Sequence, residues 1–248
     1  MAQSLKKTYT NYFSWSRSVR WFHWINFLCV ISLIFVGLIM LYKKELGISG
    51  IEAKVALKTL HVLIGYVFAT NLLVRLLFAF TGPASARFKA FIPGKGFMQS
   101  LQSYRTSLKS GKPQQFIGHN PLGKLAVSSL FLLLLILTVS GLFRAGTDIY
   151  YPPFGSMVSS YIAEQGTDPS TLIPYNDQGV NKEKKASLKV FKSPIGKIHL
   201  YTAYLLMILI IVHIAAVVLS EITEGGGLIS AMFSGKKILY EKPVDEEQ

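Results

Sequence analysis

Four of the five histidines in this chain, His23, His61, His199 and His213, fall inside long apolar runs. An imidazole placed in lipid is costly and marks a functional position by default. His199 and His213 stand fourteen residues apart in one run. That spacing is close to four helical turns, so both project from nearly the same face, about 21 Å apart along the axis. His23 and His61 lie near the starts of the first two runs. In an antiparallel bundle, depth alone pairs His23 with His213 and His61 with His199. Each pair can clamp one flat, apolar disc between two helices. Helix bundles build such sites from facing side chains, and histidine is a standard axial ligand of haem. Haem b is the group that fits, with the four histidines as axial ligands to two irons. Zinc or a di-iron centre would require a tight cluster with carboxylates or cysteines, and these runs carry no Asp or Glu. The single cysteine, Cys29, excludes an internal disulfide and covalent haem attachment through CxxCH. One intramembrane histidine is explained by an interhelical hydrogen bond; four in one small bundle are not.

The elements that position these residues follow from composition. The chain has 248 residues, 50% of them hydrophobic and only 16% charged, with a mean hydropathy of +0.38. Helices are expected over about 21–42, 59–80, 122–143 and 198–220, each long enough to cross roughly 30 Å of hydrocarbon. The fold class is therefore all-α: one membrane domain, 1–248, a four-transmembrane-helix bundle holding two b-type haems. In the connection 82–121, Phe97, Leu101, Tyr104 and Leu108 recur at helical spacing, which predicts a helix on the membrane surface. The connection 146–196 is the longest and ends in a lysine-rich stretch. The net charge of +13 fits a membrane surface better than nucleic acid, for which no motif is present. Arg20, Lys58 and Lys197 lie two or three residues before His23, His61 and His199, where they would meet haem propionates. Gly37 and Gly65 would let a macrocycle approach closely, whereas helix packing is the simpler reading of Gly141.

Arg20-x-x-His23-Trp24-x-Asn26, His61-x-x-x-Gly65-Tyr66 with Arg75, Gly118-His119-Asn120-Pro121-Leu122, the His199–His213 spacing, Glu221 and Met232-x-Ser234-Gly235 together resemble one family. It is the di-haem cytochrome b subunit of nickel–iron hydrogenases, in a superfamily with the formate dehydrogenase gamma subunit and thiosulfate-reductase-type cytochromes b. The resemblance covers residues 15–145 and 195–240.

It implies a multi-pass electron carrier of the bacterial cytoplasmic (inner) membrane with cytoplasmic termini. The His61–His199 haem would lie near the periplasm and the His23–His213 haem near the cytoplasm, with a quinone reacting beside the latter. His119 and Asn120 are candidate quinone contacts; the simpler reading makes His119 a surface residue, Asn120 an N-cap and Pro121 the first helical residue. The redox partner would be a periplasmic iron–sulfur protein or cytochrome c. With both haems bis-histidine, no catalytic residue is expected, and the chain reads as the electron-transfer subunit of an oxidoreductase. Lys182, Lys184, Lys185, Lys189 and Lys192 in the loop 146–196 would dock an acidic face of that partner. Two other classes stay open: a stand-alone quinol-dependent membrane oxidoreductase, and a haem-free histidine-containing transporter. The second lacks the Asp or Glu that proton relays place beside membrane histidines.

Overall fold

The structure, a computed structural model, describes residues 9–246. In chain order its elements are β1 (Thr10–Phe13), α1 (Arg17–Leu41), α2 (Ile51–Thr81), α3 (Phe88–Phe91), α4 (Phe97–Lys109), α5 (Pro121–Ile149), α6 (Gly155–Ile162), α7 (Lys182–Glu224), α8 (Leu228–Ser234) and β2 (Lys236–Leu239). Short 3-10 turns occupy Ala84–Ala86 and Pro169–Thr171. Helices α1, α2, α5 and α7 are each long and apolar enough to cross a membrane. Leu28, Phe35, Leu63, Phe80, Val139 and Ile211 on these helices stand exposed. Apolar surface of that extent is stable only against lipid. The chain is a mostly helical, multi-pass membrane protein.

Several boundaries differ from those that hydropathy draws; α2, for one, begins at Ile51 rather than near 59. Helix α7 begins at Lys182, so the lysine run is its first three turns and not a loop. Lys, Glu, Ala and Leu are good helix formers, and Asn181 caps the end by accepting the Lys184 amide on Oδ1 at 3.0 Å. Pro194 and Gly196, which read as breakers, lie inside the helix. Helix α5 likewise runs past its last apolar residues to Ile149, which brings Arg144 and Asp148 into a spanning helix. Hydropathy marks where lipid ends; helix propensity and capping decide where the helix ends.

The described residues form two compact units, and all four long helices contribute to both. One unit holds 25–71 and 132–206. In it the connection between α5 and α7 is packed: Val158 and Ile162 of α6 bury against Leu172 and Val180, flanked by Tyr150, Ala163 and Leu188. The other unit holds, of the described residues, 9–24, 72–131 and 207–246. There β1 pairs antiparallel with β2, Thr10 opposite Leu239 and Phe13 opposite Lys236, a ribbon that hydropathy does not reveal. The helix expected around Phe97–Leu108 forms as α4, with its apolar stripe turned to protein. Tyr104 is buried in that stripe, edge-on to Phe116 at 5.8 Å between centroids.

Candidate cofactor site

In the unit containing 25–71 and 132–206, α2 and α7 bring His61 and His199 together. Their ring centroids are 6.4 Å apart, with an interplanar angle of 72°. Bare backbone backs both rings. A Cβ placed on Gly37 would sit 3.6 Å from His61 Cε1, and one on Gly141 would sit 3.3 Å from His199 Cε1. Gly141 therefore makes room for a histidine, a role that helix packing alone does not describe. Gly65 has nothing within 4 Å of such an atom. His199 Nδ1 lies 2.9 Å from Ser140 Oγ on α5. His61 Nδ1 is buried without a hydrogen-bond partner.

The same unit gathers cations around one acid. Asp148 is buried, and its carboxylate receives Lys58 at 2.5 Å, Arg144 at 2.7 Å and Lys192 at 2.7 Å. Lys192 also donates to the Thr147 carbonyl at 3.0 Å. Lys58 stands one turn from His61 on α2, and Arg144 one turn beyond Ser140 on α5. Reading from apolar runs misses Arg144 and Asp148, and it gives Lys192 to partner docking rather than to this cluster. The signal that finds them is the i,i+4 pair Arg144-x-x-x-Asp148, which continues α5 with opposite charges. Lys197 is exposed on α7, two residues before His199.

In the unit containing 9–24, 72–131 and 207–246, the imidazoles of His23 and His213 lie within electrostatic reach of each other, and His119 within reach of His213. His23 Nδ1 is buried without a hydrogen-bond partner, as is Arg20 Nε. The first turns of α1 hold α8 in place: Arg20 donates to the Phe233 carbonyl, and Trp24 Nε1 to the Met232 carbonyl at 3.1 Å. These last-turn carbonyls of a helix otherwise lack donors.

His119 lies just before α5. Its Nδ1 is 3.1 Å from the Ala90 carbonyl, and its ring lies 4.6 Å from that of Trp15. Burial pushes His119 down to about 4, and the nearby charges of Lys237 and Lys124 act in the same direction. Asn120 caps α5, accepting the Gly123 amide at 2.7 Å. Its Nδ2 donates to Tyr104 Oη at 2.8 Å and to Glu224 Oε1 at 3.1 Å, and Tyr104 donates to the same Glu224 oxygen.

The tail fixes this segment from outside. Lys237 Nζ donates to the Phe116 and Gly118 carbonyls at 3.0 and 2.8 Å, and Asp245 accepts the Ile117 and Gly118 amides. Burial lowers Lys237 to about 8, so the amine stays charged at neutral pH. Arg75 is caged by Phe22, Phe91 and Phe131, its guanidinium 5.7, 4.9 and 5.5 Å from their centroids.

Among the described residues no group of three or more His, Cys, Asp or Glu is placed to hold a metal ion. The potential ligands come as histidine pairs, within apolar spans and with cations nearby. Those features define a class, the helical membrane cytochromes that hold haem between helices. The chain belongs to the prokaryotic cytochrome b561 family, whose model matches residues 14–235. It is a membrane electron-transfer cytochrome b, and its cofactor is haem b.

Among its relatives is the "Probable Ni/Fe-hydrogenase B-type cytochrome subunit" of Rhizobium leguminosarum bv. viciae, 22% identical over 90% of this chain and 87% of the relative. The protein of the same description in Cupriavidus necator is 22% identical over 94% of this chain and 88% of its own length. The "Probable Ni/Fe-hydrogenase 1 B-type cytochrome subunit" of Escherichia coli K12 is 28% identical over 50% of this chain and 55% of its own. No solved structure matches the chain.

Proposed function

We propose that this chain passes electrons between the quinone pool and a periplasmic redox subunit through two haems b, one held by His61 and His199 and the other by His23 and His213. The observation that carries the reading is the 6.4 Å separation of the His61 and His199 rings. Two imidazoles at that spacing would hold the iron of one haem between them. The glycines behind both rings and the unpartnered Nδ1 of His61 fit the same occupant.

When bound, haem b supplies a reversible one-electron iron couple. The residues of the chain do the rest. Four histidines fix where electrons can reside, and apolar helices exclude water around them. His119 is neutral at pH 7. With Nδ1–H donating to the Ala90 carbonyl, its Nε2 keeps a lone pair that can take a proton from a quinol hydroxyl. Asn120 stands beside it at the head of α5 as the second quinone contact.

All three of these relatives carry names that tie them to nickel–iron hydrogenase. A hydrogenase-type partner, joined through an iron–sulfur protein or a cytochrome c, is the reading those names favour here. The setting is the bacterial inner membrane with both termini cytoplasmic. The test is pyridine haemochrome analysis of the detergent-purified full chain, followed by stopped-flow oxidation of the reduced protein with a soluble quinone. The reading expects close to two extractable haems b per chain and re-oxidation by quinone. A folded chain with one haem or none, or a reduced chain inert to quinone, overturns it.

A further inference from the structure

We propose that Lys58, Arg144 and Lys192, gathered by Asp148, form the docking site for the two propionates of the haem between His61 and His199. The inference rests on the proposed ligation of that haem by these two histidines. Three cations against one carboxylate leave two uncompensated positive charges, and a haem b carries two propionate carboxylates. The charges match in number and in sign.

The placement matches as well. Lys58 lies one turn before His61 on α2, and Lys192 two turns before His199 on α7. Arg144 lies one turn beyond the Ser140–Gly141 pair that faces His199 on α5. All three converge on one buried acid, so they mark a single end of the histidine pair. Both histidines feel that cluster: His61 lies within electrostatic reach of Lys58 and Arg144, and His199 within reach of Arg144 and Asp148. Side-chain exposures of 21%, 32% and 37% for Lys58, Arg144 and Lys192, against 6% for Asp148, leave the cations able to bond a second anion. Gly196 gives the guanidinium its place, because a Cβ there would overlap Arg144 Nη1. Asp148 is then a positioning residue. Partly desolvated cations repel one another and need a counter-charge; Asp148 supplies one, and the propionates would supply the remaining two.

The test compares Arg144→Gln and Lys192→Gln with Asp148→Asn in the full chain, by spectroelectrochemical titration of both haems. A nearby positive charge favours the ferrous state. Arg144→Gln and Lys192→Gln should therefore lower the midpoint of one haem, Asp148→Asn should raise that of the same haem, and the other haem should not move. A purely structural cluster would shift all three variants in one direction.

Haem retention gives the second arm. The chain is produced without haem and loaded with either protohaem or its dimethyl ester. Charge-assisted hydrogen bonds of this kind correspond to about a ten- to hundred-fold preference for the free acid, which Arg144→Gln should largely abolish. Two haems bound with midpoints unmoved in every variant, or equal retention of acid and ester by the unsubstituted chain, would overturn the propionate site and leave the cations to another anion such as a lipid phosphate. A chain that binds no haem at His61 and His199 fails the ligation reading itself.

Discussion

Ser140 Oγ lies 2.9 Å from His199 Nδ1 and 2.6 Å from the Ile136 carbonyl of its own helix. A hydroxyl has one proton. With that proton directed to Ile136, Ser140 can only accept from the imidazole, so Nδ1 carries the hydrogen and Nε2 keeps its lone pair for a metal. The hydroxyl thus sets both tautomer and ring orientation, the part that outer partners of metal-bound histidines generally play.

Ser140→Ala is therefore expected to weaken retention of one haem by about 10- to 100-fold, with the other untouched. Haem content after repeated detergent exchange measures it. Full retention of both haems would mean that the Ser140 bond does not orient the ligand.

Gly141 offers a sharper steric test. A Cβ there sits 3.3 Å from His199 Cε1, tighter than ordinary contact, and any longer side chain must displace the ring. Gly141→Leu should bring the haem count down from about two to about one, as read by pyridine haemochrome. Gly94→Ala, where an added Cβ meets nothing within 4 Å, should leave the count unchanged.

Arg75 tests the aromatic cage. Its guanidinium stacks among three phenyl rings and donates to the Ala86 carbonyl at 2.6 Å, which ties the turn at Ala84–Ala86 to α2. A lysine keeps the charge but loses the planar fork. Arg75→Lys should therefore cost about 1–3 kcal/mol, seen as a lower melting temperature in detergent. Arg75→Met, which removes the buried charge altogether, should cost less. The reverse order would show that charge, not stacking, holds this position.

Much of the bundle is legible in the sequence because lipid imposes a simple rule: spans must be long and apolar. Four of the five histidines are legible for the same reason, since they break that rule. Asp148 is not, because it lies beyond the continuous apolar run that ends at Phe143, where hydropathy falls silent while the helix continues to Ile149. The lysine run shows the same limit. It reads as one basic patch, yet Lys185 pairs with Asp177, Lys192 with Asp148, and Lys184 lies over Tyr161. Only tertiary placement separates Lys192, which reaches the buried Asp148, from Lys182, Lys184 and Lys189, which stand exposed. The β1–β2 ribbon and the tail contacts to 115–118 join residues more than a hundred positions apart, and no local pattern records such pairing. Asn120 was readable as a cap from Asn-Pro alone; its bonds to Tyr104 and Glu224 were not.

His119 carries the pH prediction. The imidazole falls from the ordinary 6.5 to about 4 in the folded chain. Burial is the first cause; Lys237, Lys124 and His213 oppose a positive charge, and only the Ala90 carbonyl favours it. Between these two values the unfolded chain binds the proton and the folded chain does not, so stability rises with pH across that window. The His119 contribution is complete above about 6.5 and is lost as the pH falls toward 4, up to about 3 kcal/mol for a shift of this size. The melting temperature of the detergent-solubilised chain should fall over that range, and His119→Gln, which cannot titrate, should fall less steeply. Lys237 stays protonated throughout the window and adds no slope of its own. Parallel curves for the two proteins would mean that His119 is not the group that titrates in this window.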